Sequence, residues 1–214
     1  MSHCSPTQRS KNSADKNVSM IVIFGRPGSG KTTIADAALR LIRSQDDTIG
    51  GEVTSLDLDV CVPQWMRDNF VKGIYPSLNQ RREFALSLCD FVRNNVHENS
   101  AAIISFSFVN TDLRDIFRYH FPMAVWALVD VQEDIAAERI RTRKGHFYKG
   151  APVGSRVNGE VNIDSQGKEV SKQLNDPDNK DWTFASVEYP HIVLDGLDPI
   201  ETNALKIFYA LQPR

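Results

Sequence analysis

Short apolar runs alternate with helix-like apolar stripes along most of the chain. The first run, residues 20–24, is continuously apolar, which is typical of a strand buried on both faces of a parallel sheet. The next stripe, Ile34 to Ile42, repeats at the spacing of one helix face. Further elements are predicted as strands at 52–59, 101–106, 123–129 and 191–195, and as helices at about 84–96, 111–119, 132–143 and from Pro199 onward. This alternation predicts an α/β domain whose parallel sheet is covered on both faces.

Two segments depart from this rhythm. Residues 1–18 are polar and are expected to form a disordered tail, which leaves 19–214 as a single domain. Residues 144–190 are rich in glycine and charge and have no sustained apolar period. A segment of that size inside a compact domain predicts an active-site lid with a substrate-specific insert, and a passive surface loop is the alternative.

A glycine-rich turn follows the first strand. Residues 25–32 match the pattern G-x-x-x-x-G-K-[ST]. Its glycines let successive N–H groups point at phosphate oxygens, and the helix that begins near Lys31 directs its positive end at the same anion. Lys31 is expected to meet the β and γ phosphates, and the Thr32 hydroxyl a Mg²⁺ ion. The predicted nucleotide-binding residues are Gly25, Arg26, Pro27, Gly28, Ser29, Gly30, Lys31, Thr32 and Thr33.

The acids after the second strand favour one class of nucleotide protein. Residues 179–182 lack the acid that completes the guanine-reading N-K-x-D, and the strand 101–106 carries no carboxylate of the motor-ATPase type. Asp57 and Asp59 instead end the second strand, on the same side of it by alternation, where ligands of a parallel sheet bind. Asp57 is predicted to serve Mg²⁺ and Asp59 to accept the proton of an attacking hydroxyl, with two solvated acids as the alternative. The pattern favours a small-molecule kinase.

Basic residues crowd the end of the helix predicted at 132–143. Arg139 and Arg143 are four residues apart and therefore share a helix face. A lid hinged there would bring their guanidinium groups to the transferring phosphoryl group, whose charge spreads over its oxygens. Arg139 and Arg143 join Lys31 and Asp59 as the predicted catalytic residues. The alternative is that the cations only stabilise the helix C-terminus.

Several segments resemble the gluconate kinase group of P-loop kinases, related to shikimate kinase. They are the glycine-rich turn, 57–59 (DLD), Gly73 followed eight residues on by Arg81, 107–115 (SFVNTDLRD) and 138–147 (ERIRTRKGHF). The motif R-x-G-H-F in the last segment is distinctive of that group. The resemblance covers about residues 19–147 and implies a three-layer P-loop fold with a five-stranded parallel sheet of order 2-3-1-4-5 and a lid. It also implies that Asp59 meets the acceptor hydroxyl and that Arg81 and Arg114 bind the acceptor.

The resemblance has departures that bear on the acceptor. Gluconate kinases carry lysine and arginine where this chain has Asn110 and Thr111, which favours a less acidic or neutral polyol over gluconate. The pieces S-Q-F and L-E-x-P, expected after G-H-F, are replaced by a longer insert. Adenylylsulfate kinase is the nearest alternative, although its signatures F-T-G-I and P-Y-E are absent. A nucleotide kinase and a non-catalytic nucleotide-binding regulator stay open as further alternatives.

Residues 60–82 are expected to form the acceptor-side subdomain. Trp65, Phe70 and Tyr75 lie there, with aromatic packing favoured over stacking on a substrate ring. His146 is expected to be an ordinary surface residue, with a contact to phosphate as the alternative. Trp182 is a candidate to close over adenine or acceptor, and residues 194–198 are expected to cup adenine by analogy with the fold.

Composition and charge narrow the class further. Twenty-five Lys and Arg against 27 Asp and Glu give a net charge of −2, which offers no sequence-wide reason to bind nucleic acid or an anionic membrane. No apolar run reaches the ~18 residues of a membrane span, and the three scattered cysteines are expected to be reduced thiols. We therefore expect a cytoplasmic enzyme that uses ATP and Mg²⁺ and phosphorylates a small-molecule hydroxyl acceptor. The sequence leaves the oligomeric state open, a homodimer included.

Overall fold

The structure, a computed structural model, describes residues 19–45, 52–97, 100–150, 156–163, 169–173 and 184–212. The predicted tail at 1–18, Trp182 and the segment 179–182 lie outside these residues. In chain order the elements are β1 (Ser19–Phe24), α1 (Lys31–Ser44), β2 (Val53–Asp57), the 3₁₀ helix Leu58–Cys61, α2 (Gln64–Val71), β3 (Ile74–Tyr75), α3 (Leu78–Asn95), β4 (Ala101–Phe106), α4 (Thr111–His120), β5 (Val125–Asp130), α5 (Glu133–Thr142), β6 (Arg156–Ile163), β7 (Glu169–Gln173), β8 (Ile192–Asp195) and α6 (Ile200–Leu211).

The main sheet has five strands in the order β2-β4-β1-β5-β8, with parallel pairing throughout. Counting only the five strands that the sequence predicts, this is the order 2-3-1-4-5, so the implied topology is confirmed. Strand β1 lies at the centre of this sheet, and the turn that follows it therefore opens at the middle of the sheet edge. That edge is where ligands of open parallel sheets bind.

Alternate side chains of β1 enter two separate hydrophobic cores. Val22 and Phe24 belong to a core formed with α3 and α4, whereas Ile21 and Ile23 belong to a core formed with α1 and α6. All four side chains have no exposed surface. Burial on both faces explains why this strand is continuously apolar, and each such side chain stabilises the fold by about 1.5–3 kcal/mol. The three-layer prediction is confirmed.

The second strand ends earlier than the sequence predicts. The strand was expected to extend over 52–59, but β2 ends at Asp57 and Asp59 lies in the 3₁₀ helix. The Asp57 side chain accepts a hydrogen bond from the Asp59 N–H at 3.0 Å, which caps that helix and turns the chain. The relative position of Asp57 and Asp59 is therefore set by this side-chain cap and not by strand alternation.

A second, three-stranded sheet of order β3-β6-β7 was not predicted. Within it β3 pairs in parallel with β6, and β6 pairs antiparallel with β7. The register shifts between positions 156 and 161 of β6, and Gly159 lies inside that irregular stretch. Val157, Val161 and Ile163 alternate with polar residues in this strand, so the sequence did carry a short strand signal inside the predicted insert, and that signal was not used in the prediction for this segment. The sheet joins part of the predicted insert to the predicted acceptor-side subdomain at 60–82. Within the described ranges, no helix has the length and apolar character needed to cross a bilayer.

Candidate active site

A cavity of about 920 Å³ opens where the strands of the main sheet end. Its lining includes segments that follow all five strands: the glycine-rich turn after β1, Asp59 after β2, residues 107–110 after β4, the helix α5 after β5 and Gly196 after β8. Eight of the nine predicted nucleotide-binding residues border the cavity, and Gly25 does not. One cavity is therefore shared by the predicted phosphate loop and the predicted acceptor side.

The phosphate loop requires glycine at two close approaches. Gly28 has φ +82°, and a Cβ placed there would lie 2.4 Å from the carbonyl oxygen of Ala136. Gly25 has φ +153°, and its Cβ would lie 2.6 Å from the carbonyl oxygen of Val129. Both contacts are far shorter than real Cβ atoms allow, so a side chain at either position would displace backbone. The loop is thus fitted between β5 and α5.

Lys31 lies buried at the start of α1 and points back into the loop. Its Nζ donates a hydrogen bond of 2.8 Å to the carbonyl oxygen of Arg26. Burial lowers the pKa of Lys31 to about 8, the charges of Asp59 and Asp57 oppose that shift, and the charge of Arg143 adds to it. The predicted catalytic cation and both predicted acids therefore interact electrostatically.

Thr32 and Asp57, the predicted metal-binding pair, are in direct contact. The Thr32 hydroxyl donates to Oδ2 of Asp57 at 2.9 Å, while Oδ1 of Asp57 accepts the Asp59 N–H. Both carboxylate oxygens are thereby held in place beside the phosphate loop. Hydroxyl and carboxylate oxygens are the ligands that Mg²⁺ prefers, so the residues present fit this ion.

His146 contacts Asp59, which the sequence analysis missed. The Nε2 atom of His146 lies 3.1 Å from Oδ2 of Asp59. The other ring nitrogen, Nδ1, accepts the Tyr148 N–H at 3.1 Å. Because Nδ1 acts as an acceptor, the ring hydrogen is assigned to Nε2, which donates to the carboxylate. The R-x-G-H-F motif was the available sequence signal, but nothing in its spacing indicated this long-range contact.

Arg67 is a second residue that sequence reasoning missed. Its Nη2 donates to the carbonyl oxygen of Asp59 and its Nε to that of Val62, both at 2.8 Å. The same guanidinium lies 4.7 Å from the ring centroid of Phe147, a cation–π contact. Arg67 therefore joins the segment that carries Asp59 to the segment that carries His146.

Four aromatic residues, which we call the aromatic cluster, form one wall of the cavity: Phe70, Tyr75, Phe147 and Tyr148. Phe70 lies 5.2 Å from Tyr75, 6.3 Å from Phe147 and 5.9 Å from Tyr148 between ring centroids. The two tyrosine hydroxyls are 3.3 Å apart. Burial raises the pKa of both tyrosines, so they stay protonated at neutral pH. The expected packing of Phe70 and Tyr75 is found, whereas Trp65 does not border the cavity and is 43% exposed.

Arg139 and Arg143 both border the cavity from the end of α5. Arg139 donates to the carbonyl oxygen of Ser29 at 3.4 Å and to that of Gly196 at 3.1 Å. It thereby joins the phosphate loop to the turn between β8 and α6. Arg143 follows α5 and is close enough to Lys31 to contribute to the lowering of its pKa. The predicted cations therefore lie beside the phosphate loop, and their catalytic role stays a prediction.

Arg81 borders the cavity with 3% of its surface exposed. Its Nε donates to Oδ2 of Asp112 at 3.1 Å, and its Nη1 donates to the carbonyl oxygen of Pro76 at 3.3 Å. Part of this guanidinium is thus used to hold α3 against the first turn of α4. Arg81 has the position expected of an acceptor-binding residue, and that role stays a prediction.

Arg114, the other predicted acceptor-binding residue, does not border the cavity. It is 1% exposed and its guanidinium donates to four backbone carbonyl oxygens at 2.7–3.1 Å. The acceptors are those of Phe108, Val109, Ala185 and Ser186. We therefore withdraw Arg114 from the acceptor site, because its hydrogen bonds tie residues 184–186 to the end of β4.

Solved structures of other proteins share this fold. A sugar kinase from Janibacter sp. HTCC2649 aligns with a TM-score of 0.61 and 23% identity over 90% of this chain and 93% of that one. A gluconokinase from Sinorhizobium meliloti 1021 aligns at 0.57 and 16%, over 90% of both chains. Kti12 from Chaetomium thermophilum, in complex with ADP-AlF₃, aligns at 0.56 and 14% over 91% of this chain and 100% of that one. These likenesses confirm the P-loop kinase fold. No protein-family model and no curated protein matches the chain.

Proposed function

We propose that the protein is an ATP-dependent small-molecule kinase that transfers the γ-phosphoryl group to a hydroxyl of a sugar, sugar acid or cyclitol. The observation that carries this proposal is the environment of Asp59. This carboxylate borders the same cavity as the phosphate loop and interacts with Lys31. It also contacts His146, whose ring stacks on Phe147 of the aromatic cluster. A non-catalytic nucleotide site has no need of a second carboxylate, beyond Asp57, held at the border of this cavity.

The nucleotide end of the cavity suits a triphosphate. The loop amides and Lys31 would hold the phosphates, and the complex of Kti12 with ADP-AlF₃ supports an adenine nucleotide as the ligand of this fold. Thr32 and Asp57 would hold Mg²⁺, which when bound supplies positive charge to the phosphate oxygens. Arg139 and Arg143 border the same cavity and would stabilise the charge of the transferring group.

Asp59 is the proposed base. Its Oδ2 is engaged by His146, so Oδ1 is the oxygen that we assign to the acceptor hydroxyl. As Asp59 accepts that proton, the hydroxyl oxygen forms a bond to the γ-phosphorus and the bond from that phosphorus to the oxygen of the leaving ADP breaks. Lys31, Arg139 and Arg143 would then stabilise the charge on the phosphoryl oxygens.

The acceptor end combines aromatic faces with a few polar groups. The aromatic cluster offers flat apolar surface against which the C–H face of a sugar or cyclitol can pack. Arg81 borders the same space and is paired with Asp112 there. This mixture supports a hydroxylated ring or chain as the acceptor.

An ADP-release assay with Mg-ATP tests the proposal. Sugars, sugar acids, cyclitols, adenylylsulfate and nucleoside monophosphates are each added to the wild type and to a Lys31→Ala variant. We expect one sugar, sugar acid or cyclitol to raise ADP release by about a thousandfold in the wild type only. Stimulation by adenylylsulfate or a nucleoside monophosphate would replace the acceptor class. A flat panel despite tight ATP binding would overturn the proposal and favour a nucleotide-binding regulator.

A further inference from the structure

Arg26 borders the cavity as the second residue of the phosphate loop. Its backbone serves the loop, since the Arg26 carbonyl oxygen accepts hydrogen bonds from Nζ of Lys31 at 2.8 Å and from the Ser29 N–H at 3.1 Å. Its side chain takes no part in those bonds and is 33% exposed. The loop thus carries a guanidinium group in addition to the amides and the lysine that its sequence pattern requires.

The Arg26 guanidinium is paired with a mostly exposed carboxylate. Its Nη1 donates to Oε2 of Glu133 at 3.1 Å, and the Glu133 side chain is 82% exposed. A guanidinium has five N–H groups, and Glu133 is the one residue in the described part of the chain that accepts a hydrogen bond from that of Arg26. Because ion pairs this exposed contribute little to stability, an anion in the cavity can replace Glu133 at small cost.

An aromatic ring restrains the Arg26 guanidinium at the border of the cavity. The guanidinium carbon lies 5.5 Å from the ring centroid of Phe184, which also borders the cavity. The guanidinium of the buried Arg114 lies 4.4 Å from the same centroid, and the Ala185 N–H donates to the carbonyl oxygen of Val109 at 3.2 Å. These contacts hold Phe184 beside the end of β4. The ring contact does not use the N–H groups of Arg26, so it restrains the side chain and leaves those donors for a ligand.

Arg139 shows a different pattern. Its guanidinium donates to the carbonyl oxygens of Ser29 and Gly196, and these bonds join the phosphate loop to the turn before α6. Movement of Arg139 toward a phosphoryl group would break contacts that shape the loop, whereas movement of Arg26 breaks its pair with the exposed Glu133. Arg26 is therefore a cation of the loop that can change partner when the cavity fills.

We propose that Arg26 is a further catalytic residue, whose guanidinium leaves Glu133 and donates to an oxygen of the γ-phosphoryl group during transfer. This inference rests on the proposed kinase function and adds a residue to its site. In the step, the acceptor oxygen bonds to the γ-phosphorus, the bond to the leaving oxygen of ADP breaks and the acceptor proton passes to Asp59. Arg26 stays protonated throughout and offsets the charge that spreads over the phosphoryl oxygens.

Steady-state kinetics of two variants test this role, with Mg-ATP and the acceptor that stimulates the wild type. Arg26→Met removes the cation and keeps an unbranched side chain, so we expect kcat to fall at least about a hundredfold while the ATP affinity changes by less than about threefold. Glu133→Gln is the matched control, because it removes the ion pair and leaves the cation, and its kcat should stay within about twofold of the wild-type value. A kcat of Arg26→Met near that of the wild type, or an equal loss in Glu133→Gln, overturns the inference while the kinase function stands.

Binding of ADP with aluminium fluoride, a stand-in for the transferring phosphoryl group, measures the same contact without turnover. In calorimetric titrations with Mg²⁺, we expect aluminium fluoride to tighten ADP binding by the wild type and by Glu133→Gln. Arg26→Met should lose at least about tenfold of that gain, the equivalent of one charge-assisted hydrogen bond, with the affinity for ADP alone unchanged. An equal gain in Arg26→Met, or no gain in the wild type, overturns the inference. If no acceptor in the panel stimulates the wild type above Lys31→Ala, the kinase function fails and the inference falls with it.

Discussion

His146 donates a hydrogen bond from Nε2 to Oδ2 of Asp59 at 3.1 Å, between residues 87 positions apart in the sequence. Neither side chain is more than 28% exposed. The bond brings the segment after α5 against the acid that follows β2. The Tyr148 N–H donates to the other ring nitrogen, Nδ1, and the two hydrogen bonds together fix the orientation of the imidazole relative to the carboxylate. His146 is thus a positioning residue for the proposed base.

Substitution of His146 should therefore slow turnover without weakening ATP binding. His146→Leu removes the donor to Asp59, and we expect kcat to fall at least about tenfold, because a small displacement of a catalytic group is costly. His146→Gln keeps an N–H at similar reach and should retain most of kcat. Acceptor-dependent ADP release gives kcat, and calorimetric titration gives the ATP affinity. Equal losses in the two variants would contradict a hydrogen-bonding role.

The lowered pKa of Lys31 predicts a pH dependence of ATP binding. In the free protein this pKa is about 8, because of burial. Phosphates beside the ammonium group favour its charged form, so bound ATP should raise the pKa. Above pH 8, Lys31 must therefore take up a proton when ATP binds, and the affinity for ATP should fall by up to about tenfold per pH unit. Below pH 8, Lys31 is already protonated, so this pH dependence disappears.

Titration calorimetry in buffers of different ionisation enthalpy measures the proton uptake at pH 7 and pH 9. Lys31→Arg is the control, since arginine stays protonated at both pH values. Its residual ATP affinity should lack this pH dependence. Equal proton uptake by the wild type at both pH values would contradict the role of Lys31.

Two glycines of the phosphate loop should respond differently to alanine. Gly28→Ala combines a positive φ with a Cβ 2.4 Å from a backbone oxygen of α5, whereas Gly30 has φ +100° and open space around its Cβ. Gly30→Ala should therefore lower the free energy of unfolding by about 1–2 kcal/mol, the cost of the backbone conformation alone. Gly28→Ala should lower it further. Denaturant unfolding compares the two, and an equal loss would contradict the close approach of loop and helix.

Arg114 is predicted to stabilise the fold and not to bind the acceptor. Arg114→Met removes a buried cation that donates to four backbone carbonyl oxygens, of which, among the described residues, only that of Val109 also accepts a backbone N–H, from Ala185. We expect the free energy of unfolding to fall by about 3 kcal/mol or more. Arg118→Met on the same helix is the control: Arg118 is partly exposed, pairs with Asp115 at 3.7 Å and should cost about 1 kcal/mol or less. Denaturant unfolding measures both. A raised acceptor KM at unchanged stability would restore the role that the sequence indicated.

The main sheet was predictable because its strands are buried on both faces or bounded by clear turns. The apolar run of β1 follows from the two cores that it separates, and the strand order follows from the resemblance in the motifs around it. The smaller sheet was missed although Val157, Val161 and Ile163 alternate with polar residues in β6, because this short signal lies in a segment that is otherwise rich in glycine and charge. The early end of β2 depends on one side-chain cap by Asp57, which a strand pattern does not report.

The site shows the same division between local and distant signals. Thr32 and Asp57 could be paired from motif and strand end, because parallel strands bring their carboxyl ends to one edge. His146 and Arg67 reach Asp59 through loop geometry, which has no periodicity to read. Arg114 was misassigned although Phe117, three residues on, shares its buried face of α4. That spacing was the signal for a structural role.

Replacement of Asp59 by asparagine tests the central claim most directly. Asp59→Asn keeps the size and the acceptor oxygen for His146 but removes the base. With the acceptor that stimulates the wild type, we expect kcat to fall about a hundredfold or more, the contribution of a positioned proton acceptor, while the ATP affinity changes by less than about twofold. Single-turnover transfer of the γ-phosphoryl group and calorimetric titration of ATP give the two quantities. Full turnover by Asp59→Asn would contradict the assignment of Asp59 as the base of a small-molecule kinase.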